Sequence, residues 1–299
     1  STPLYSSAAS DVYKRQTSLT RLRRRNLWIL HSLMICCERW ACFEALQSMR
    51  DMGRMDDNTP VGASVFTTLR WDGTRVAWLN EHLQRLRAHA DRLCIEWPED
   101  FIERLTSTNP IGEGDLCQVK LTREGQIELT LRQTQYPPSP LSAISQAAPR
   151  FSQEAQGTKH AAWTPYTDAR TAAENAGAHI ALLVHDGAIV DGDRCTPILL
   201  DVDGVAYAPV PEGGGIESIT LSILEPAIEG AGIPFRHARL TETLLGRARE
   251  VIVVGTGIGV AWLDAIDGQN VGHDSPGPLY EICSQSFSTA LDGAWSTLR

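Results

Sequence analysis

Val65 to Leu69 (VFTTL) is a short β-branched and aromatic run, Trp71-Asp72-Gly73 follows as a turn, and Val76-Ala77-Trp78 is apolar again. This pattern predicts two strands joined by a tight connection. Asn80 then reads as a helix cap, with Leu79, Leu83, Leu86, Ala90 and Leu93 at helical spacing. A second short helix is predicted after Pro98, through Phe101, Ile102 and Leu105. Asp115 to Leu121 and Gln126 to Arg132 alternate polar and apolar around an Arg123-Glu124-Gly125-Gln126 turn, which predicts a hairpin. The Pro- and Ser-rich stretch Tyr136-Pro137-Pro138-Ser139-Pro140 reads as a linker.

Beyond it, helices are predicted at Thr167 to Asn175, Ser218 to Glu229 and Pro278 to Leu291. Strands are predicted at Ile180 to Val184, Ala188 to Val190, Ile198 to Val202 and Val251 to Val254, with Asp186-Gly187 and Asp203-Gly204 as turns. Strands mixed with helices place the chain in the α/β or mixed α+β class. The predicted organisation is a small N-terminal domain over residues 56–135 and a larger one over 143–299.

Residues 1–55 stand apart. They hold nine Lys and Arg against four Asp and Glu, leaving 18 against 32 for the remainder. The segment Asn26 to Cys37 is too short and interrupted to span a bilayer. A signal-peptide reading lacks a clear cleavage site and starts late. Ser6 to Gln16 (SSAASDVYKRQ) resembles translated adapter sequence, so residues 1–55 are expected to be a non-native leader. The net charge of -9 argues against a nucleic-acid partner. Seven cysteines without a CxxC fit reduced thiols and a cytoplasmic protein.

No metal-ligand spacing is present among the eight dispersed histidines. Gly255-Thr256-Gly257-Ile258-Gly259 after an apolar strand falls short of the dinucleotide fingerprint but reads as a phosphate-binding turn. Only three lysines exist: Lys14, Lys120 and Lys159. Lys159 lies among small and aromatic residues (GTKHAAW), where desolvation would depress an amine's pKa. On residue chemistry alone, Lys159 stays open between a reactive amine and a surface lysine. Arg85 reads as a ligand or a solvated helix charge, and Asp191 as a site residue or a turn residue.

The segments Val65 to Ile95, Gly187 to Pro209 and Val251 to Leu279 resemble, in order and spacing, the class IV aminotransferases, and among them most nearly the aminodeoxychorismate lyases. The Phe66-Thr67-Thr68 strand, the Asp72-Gly73 turn and the His82-Leu83-Gln84-Arg85-Leu86 helix carry the first segment. The Ile266-Asp267-Gly268 and Pro276-Gly277-Pro278 ending carries the last. The resemblance spans roughly residues 62–295 and implies the two-domain fold type IV, pyridoxal 5'-phosphate (PLP) as cofactor and a homodimer with no membrane partner. It implies that Lys159 bonds the cofactor and shuttles protons and that Asp191 meets the pyridine nitrogen. Arg85, Ile216, Glu217, Thr256 and Gly257 would bind the phosphate, and Thr67 and Thr68 would touch the substrate. The implied activity is pyruvate elimination giving 4-aminobenzoate. A branched-chain or D-amino-acid aminotransferase and a non-catalytic PLP-binding homologue are the alternatives. The chain departs from the family's pattern in carrying Asp191 for Glu, Glu217 for Thr and Thr196 for Asn.

Overall fold

The N-terminal run of alternating residues becomes a three-stranded antiparallel sheet in the order β1 (Ser64–Arg70), β3 (Leu116–Thr122), β4 (Ile127–Arg132). The short β2 (Arg75–Ala77) lies off this sheet and pairs with a strand from the far end of the chain. The computed structural model describes residues 60–134, 138–272 and 275–298; the predicted leader, and Tyr136 and Pro137 of the predicted linker, lie outside them. Alternation sorts the sheet's two faces. Val65, Leu69, Val119, Leu121 and Leu129 are buried with Leu86 and Ala90 of helix α1 (Leu79–Arg92) and with Phe101 and Leu105 of α2 (Phe101–Ser107).

Asn80 does not cap α1. The helix starts at Leu79 behind Trp78, whose backbone is left-handed at φ 54° and makes no side-chain cap. The chain turns there because the Trp78 N–H donates to the Ala294 carbonyl and because β2 pairs with β15 (Trp295–Thr297). A tertiary pairing, not a local cap, sets this helix start.

The rest forms a ten-stranded sheet. Its path runs β10 (Phe235–Ala238), β9 (Ala206–Pro209), β8 (Thr196–Asp201), β12 (Ala248–Gly255), β13 (Gly259–Ile266), β5 (Leu141–Ala147), β6 (Ile180–His185), β7 (Ala188–Gly192), β11 (Leu240–Thr241), with β14 (Gln269–Asn270) paired to β13. Most pairs are antiparallel; β13–β5, β5–β6 and β9–β10 are parallel. The central strands read as continuous apolar runs because both of their faces are covered. Helices α4 (Ile219–Gly230) and α6 (Pro278–Asp292) bury Leu224, Ile228, Leu279, Cys283 and Phe287 against Ile198, Ile252 and Val254. Helix α3 (Thr164–Asn175) sets Ala169 and Ala173 against Ala181, Leu183 and Val190. A four-residue α5 (Glu242–Leu245) completes the described helices.

Candidate active site

The cavity face of β1 carries Ser64, Phe66 and Thr68, and with the ends of β7, β8 and β12 it lines a cavity of about 600 Å³. The chain around Lys159 runs beside β1 like a further strand. The Phe66 N–H donates to the Lys159 carbonyl at 3.0 Å, the Ala161 N–H donates to the Ser64 carbonyl at 3.0 Å, and His160 bridges Val65. The Lys159 N–H donates to His89 Nδ1 at 3.2 Å. Backbone pairing thus fixes the lysine's direction. Its Nζ stands 4.6 Å from the Trp163 ring centre and 5.5 Å from that of Phe66. Burial, and next the Arg85 charge, pull the amine's pKa well down, while Asp191 pulls it back up.

Asp191 comes from β7 and is 5 % exposed. Its carboxylate accepts from the Ile216 N–H at 2.8 Å and the Gly192 N–H at 3.0 Å, with the Thr196 hydroxyl at 3.5 Å. Burial pushes its pKa up, against those hydrogen bonds and Lys159. The 215–217 loop can lie this close because residue 215 is glycine; a side chain there would collide with the Val190 carbonyl. This corrects the expectation for Ile216: its N–H is committed to Asp191 and is not open to a phosphate.

Arg85 reaches the cavity from α1. Its Nη1 donates to the Glu217 carbonyl at 2.8 Å and its Nη2 to the Thr67 hydroxyl at 2.9 Å, while Nε is buried without a partner. Burial lowers its pKa to about 10, against the attraction of Glu217 and Asp191, and it stays charged at neutral pH. Thr67 is a second correction. It is fully buried on the opposite face of β1 from Thr68, bonded to Arg85 and to His82 Nδ1, and does not line the cavity. The alternation of β1 decides this: only one of two consecutive threonines can face the cavity.

Thr256 and Gly257 form the turn between β12 and β13 and line the cavity. Their carbonyls accept from Arg70 Nε at 2.8 Å and Nη2 at 3.0 Å. Arg70 and His89 escaped the sequence reading, because their partners are far away in the chain; His82 was part of the quoted helix motif, with no role assigned to it. Trp163 and Tyr166 stack at 4.0 Å along the same cavity. Among the described residues no group of three or more His, Cys, Asp or Glu comes together to hold a metal, and no helix is long and apolar enough to cross a membrane.

The site therefore offers a desolvated amine facing a buried carboxylate, with a guanidinium and a hydroxyl-bearing turn at its edge. The sequence profile of amino-transferase class IV matches residues 64–266. The chain belongs to the class IV aminotransferases. These are PLP-dependent enzymes, and PLP is the cofactor. No curated protein matches this class IV chain. Solved structures share its fold. A putative 4-amino-4-deoxychorismate lyase from Legionella pneumophila is 17% identical with a TM-score of 0.66, over 79% of this chain and 97% of that one. The branched-chain amino acid aminotransferase of Escherichia coli is 17% identical with a TM-score of 0.64, over 80% and 90%. The branched-chain aminotransferase of the thermophilic archaeon Thermoproteus uzoniensis, solved with norvaline, is 18% identical with a TM-score of 0.65, over 83% and 95%.

The residues present fit PLP. Arg85 has a buried Nε and unused Nη hydrogens, Thr256 adds a hydroxyl, and Lys159 offers an amine that sheds its proton readily. Glu217 is the one discordant residue: its exposed carboxylate lines the cavity and brings negative charge to a site for an anionic cofactor.

Proposed function

We propose that this class IV enzyme is a lyase of the aminodeoxychorismate type, which eliminates pyruvate and leaves 4-aminobenzoate. The observation that carries the PLP chemistry is the Lys159 amine, its pKa pulled down by burial and by Arg85, between Phe66 and Trp163 on a cavity that also holds Asp191. Arg85, Thr256 and Gly257 would hold the phosphate, and Asp191 would keep a proton on the pyridine nitrogen. Bound PLP supplies the electron sink for the bond being broken. Lys159 Nζ would take a proton from the substrate carbon and return one as pyruvate leaves. Phe66 and Trp163 keep water from this proton.

The second reading is transamination of a branched-chain or D-amino acid, which would use the same groups. The cavity wall favours the lyase: Thr68, Gln118, Lys120 and Arg132 line it, and a branched aliphatic side chain would strip water from these polar groups without replacing it. The convergence of Lys159, Asp191 and Arg85 speaks against a non-catalytic homologue. Family resemblance further supports a cytoplasmic homodimer with domains over 56–135 and 143–299. The test is turnover of aminodeoxychorismate by the PLP-loaded protein without a keto-acid acceptor. Equal amounts of pyruvate and 4-aminobenzoate are expected. Turnover only with an added keto acid would instead make it a transaminase, and no turnover of any amino donor would make it a non-catalytic binder.

A further inference from the structure

The face of the three-stranded sheet that does not pack on α1 and α2 forms one wall of the cavity, and its polar residues are not among those assigned to the cofactor. In β3 the cavity-facing positions are Leu116, Gln118 and Lys120, and in β4 Arg132 faces the same way. The register places Lys120 opposite Phe66, the residue packed against Lys159, and Gln118 opposite Thr68. Gln118 therefore stands two residues along β3 from Lys120, roughly 7 Å, and Arg132, opposite Leu116 on β4, reaches back to it.

Charge pairing singles out one group on this rim. Arg170 pairs with Glu174 at 3.3 Å, Arg194 with Asp193 at 3.6 Å, and Lys120 with Glu128 at 3.1 Å. Arg132 has no carboxylate partner among the described residues. Its Nη2 donates to the neutral Gln118 side-chain oxygen at 2.7 Å. That bond fixes one edge of the guanidinium and leaves its other N–H groups, and the Gln118 amide hydrogens, as donors without an anion. A planar fork of donors beside an amide NH₂, on the wall of a cavity, matches a carboxylate.

We propose that Arg132, oriented by Gln118, is a carboxylate subsite that takes a second, distal carboxylate of the amino substrate. The site then selects amino donors that carry an acidic group distal to the reacting nitrogen. This rests on the reading of Lys159 as the group that meets the substrate amine. The covalent chemistry is unchanged; the subsite only orients the donor.

The probes are 4-aminobenzoate and 4-aminobenzamide, which share a ring and an amine and differ in the charge of the distal group. Their binding to the PLP-loaded full chain is read by quenching of tryptophan fluorescence, since Trp163 lines the cavity. The acid is expected to bind roughly tenfold more tightly than the amide, as suits a charged pair at a partly exposed site. Arg132→Met should remove the preference while leaving amide binding unchanged, and Arg132→Lys should keep part of it. Arg132 is exposed, so both variants are expected to fold, which their visible PLP absorption reports. Equal binding of acid and amide by the parent would overturn the subsite, as would a preference that survives in Arg132→Met. If the PLP band is present and the preference is missing, only the subsite falls. If neither the parent nor its variants take up PLP, the reading of Lys159 falls and the subsite with it.

Discussion

Thr67 has a single hydroxyl hydrogen, and its two neighbours decide where it points. Arg85 can only donate, so Thr67 Oγ1 accepts from it, which leaves the hydroxyl hydrogen free to go to His82 Nδ1. Burial and the Arg85 and Lys159 charges hold the His82 pKa well below normal, so the ring is neutral, and with Nδ1 accepting its one ring proton sits on Nε2. The residue expected to touch substrate instead steers the guanidinium expected to hold phosphate. Thr67→Val should weaken PLP binding about tenfold by freeing Arg85 from a charged hydrogen bond. Binding of pyridoxal, which lacks the phosphate, should stay the same, and Thr67→Ser should restore PLP binding. Equal losses for both ligands, measured by equilibrium titration, would assign Thr67 to packing alone. At this scale the sequence pointed to residues that the fold brings together: Lys159, Arg85, Asp191, Thr256 and Gly257 all line the cavity. It misled on Thr67 because the phase of a strand, which of two threonines faces in, depends on what the sheet packs against. It misled on Ile216 because backbone donors carry no sequence label.

Helix α6 begins at Pro278 with Gly277 in front of it and no side-chain cap of its own. Its first N–H groups are satisfied from another element. Glu250, on β12, accepts from Gly277 at 3.1 Å, Leu279 at 2.9 Å and Tyr280 at 2.7 Å. A helix start left without acceptors in a buried place is costly. Glu250→Ala should therefore lower stability by about 2–4 kcal/mol, read as a fall in the urea midpoint with an unchanged slope. A loss under about 0.5 kcal/mol would mean that water replaces the carboxylate. The same scale shows where pattern reading fell short. Strands with strong apolar runs, such as β6 and β8, were legible. Strand β5 was not predicted, because it follows directly on the proline-rich stretch and carries Ser142, Ser145 and Gln146 among its apolar residues. Strand β13, interrupted by Asp264, gained its pairing from β12 and β5 rather than from its own alternation.

Across the whole molecule, the site exists only because distant segments meet. Lys159 is held by β1, Arg85 and Thr67 are brought from the three-stranded sheet and its helix, Asp191 comes from β7 of the ten-stranded sheet, and Ile216 and Thr256 come from the loop before α4 and the turn after β12. Arg70 ties β1 to the turn after β12 through two carbonyls. Mixed α/β class and family were legible because motif order survives in one dimension. The β2–β15 pairing was not, since it joins residues more than two hundred positions apart, and neither was sheet order, which pairs strands as distant as β5 and β13. The central claim is that Lys159 is the residue that bonds PLP in this cavity. Its most direct test is the visible absorption spectrum of the protein incubated with PLP, beside that of Lys159→Ala. The account predicts a yellow, protein-bound band in the parent that survives gel filtration and is absent from a correctly folded Lys159→Ala. The same band in both proteins, or in neither, would contradict it.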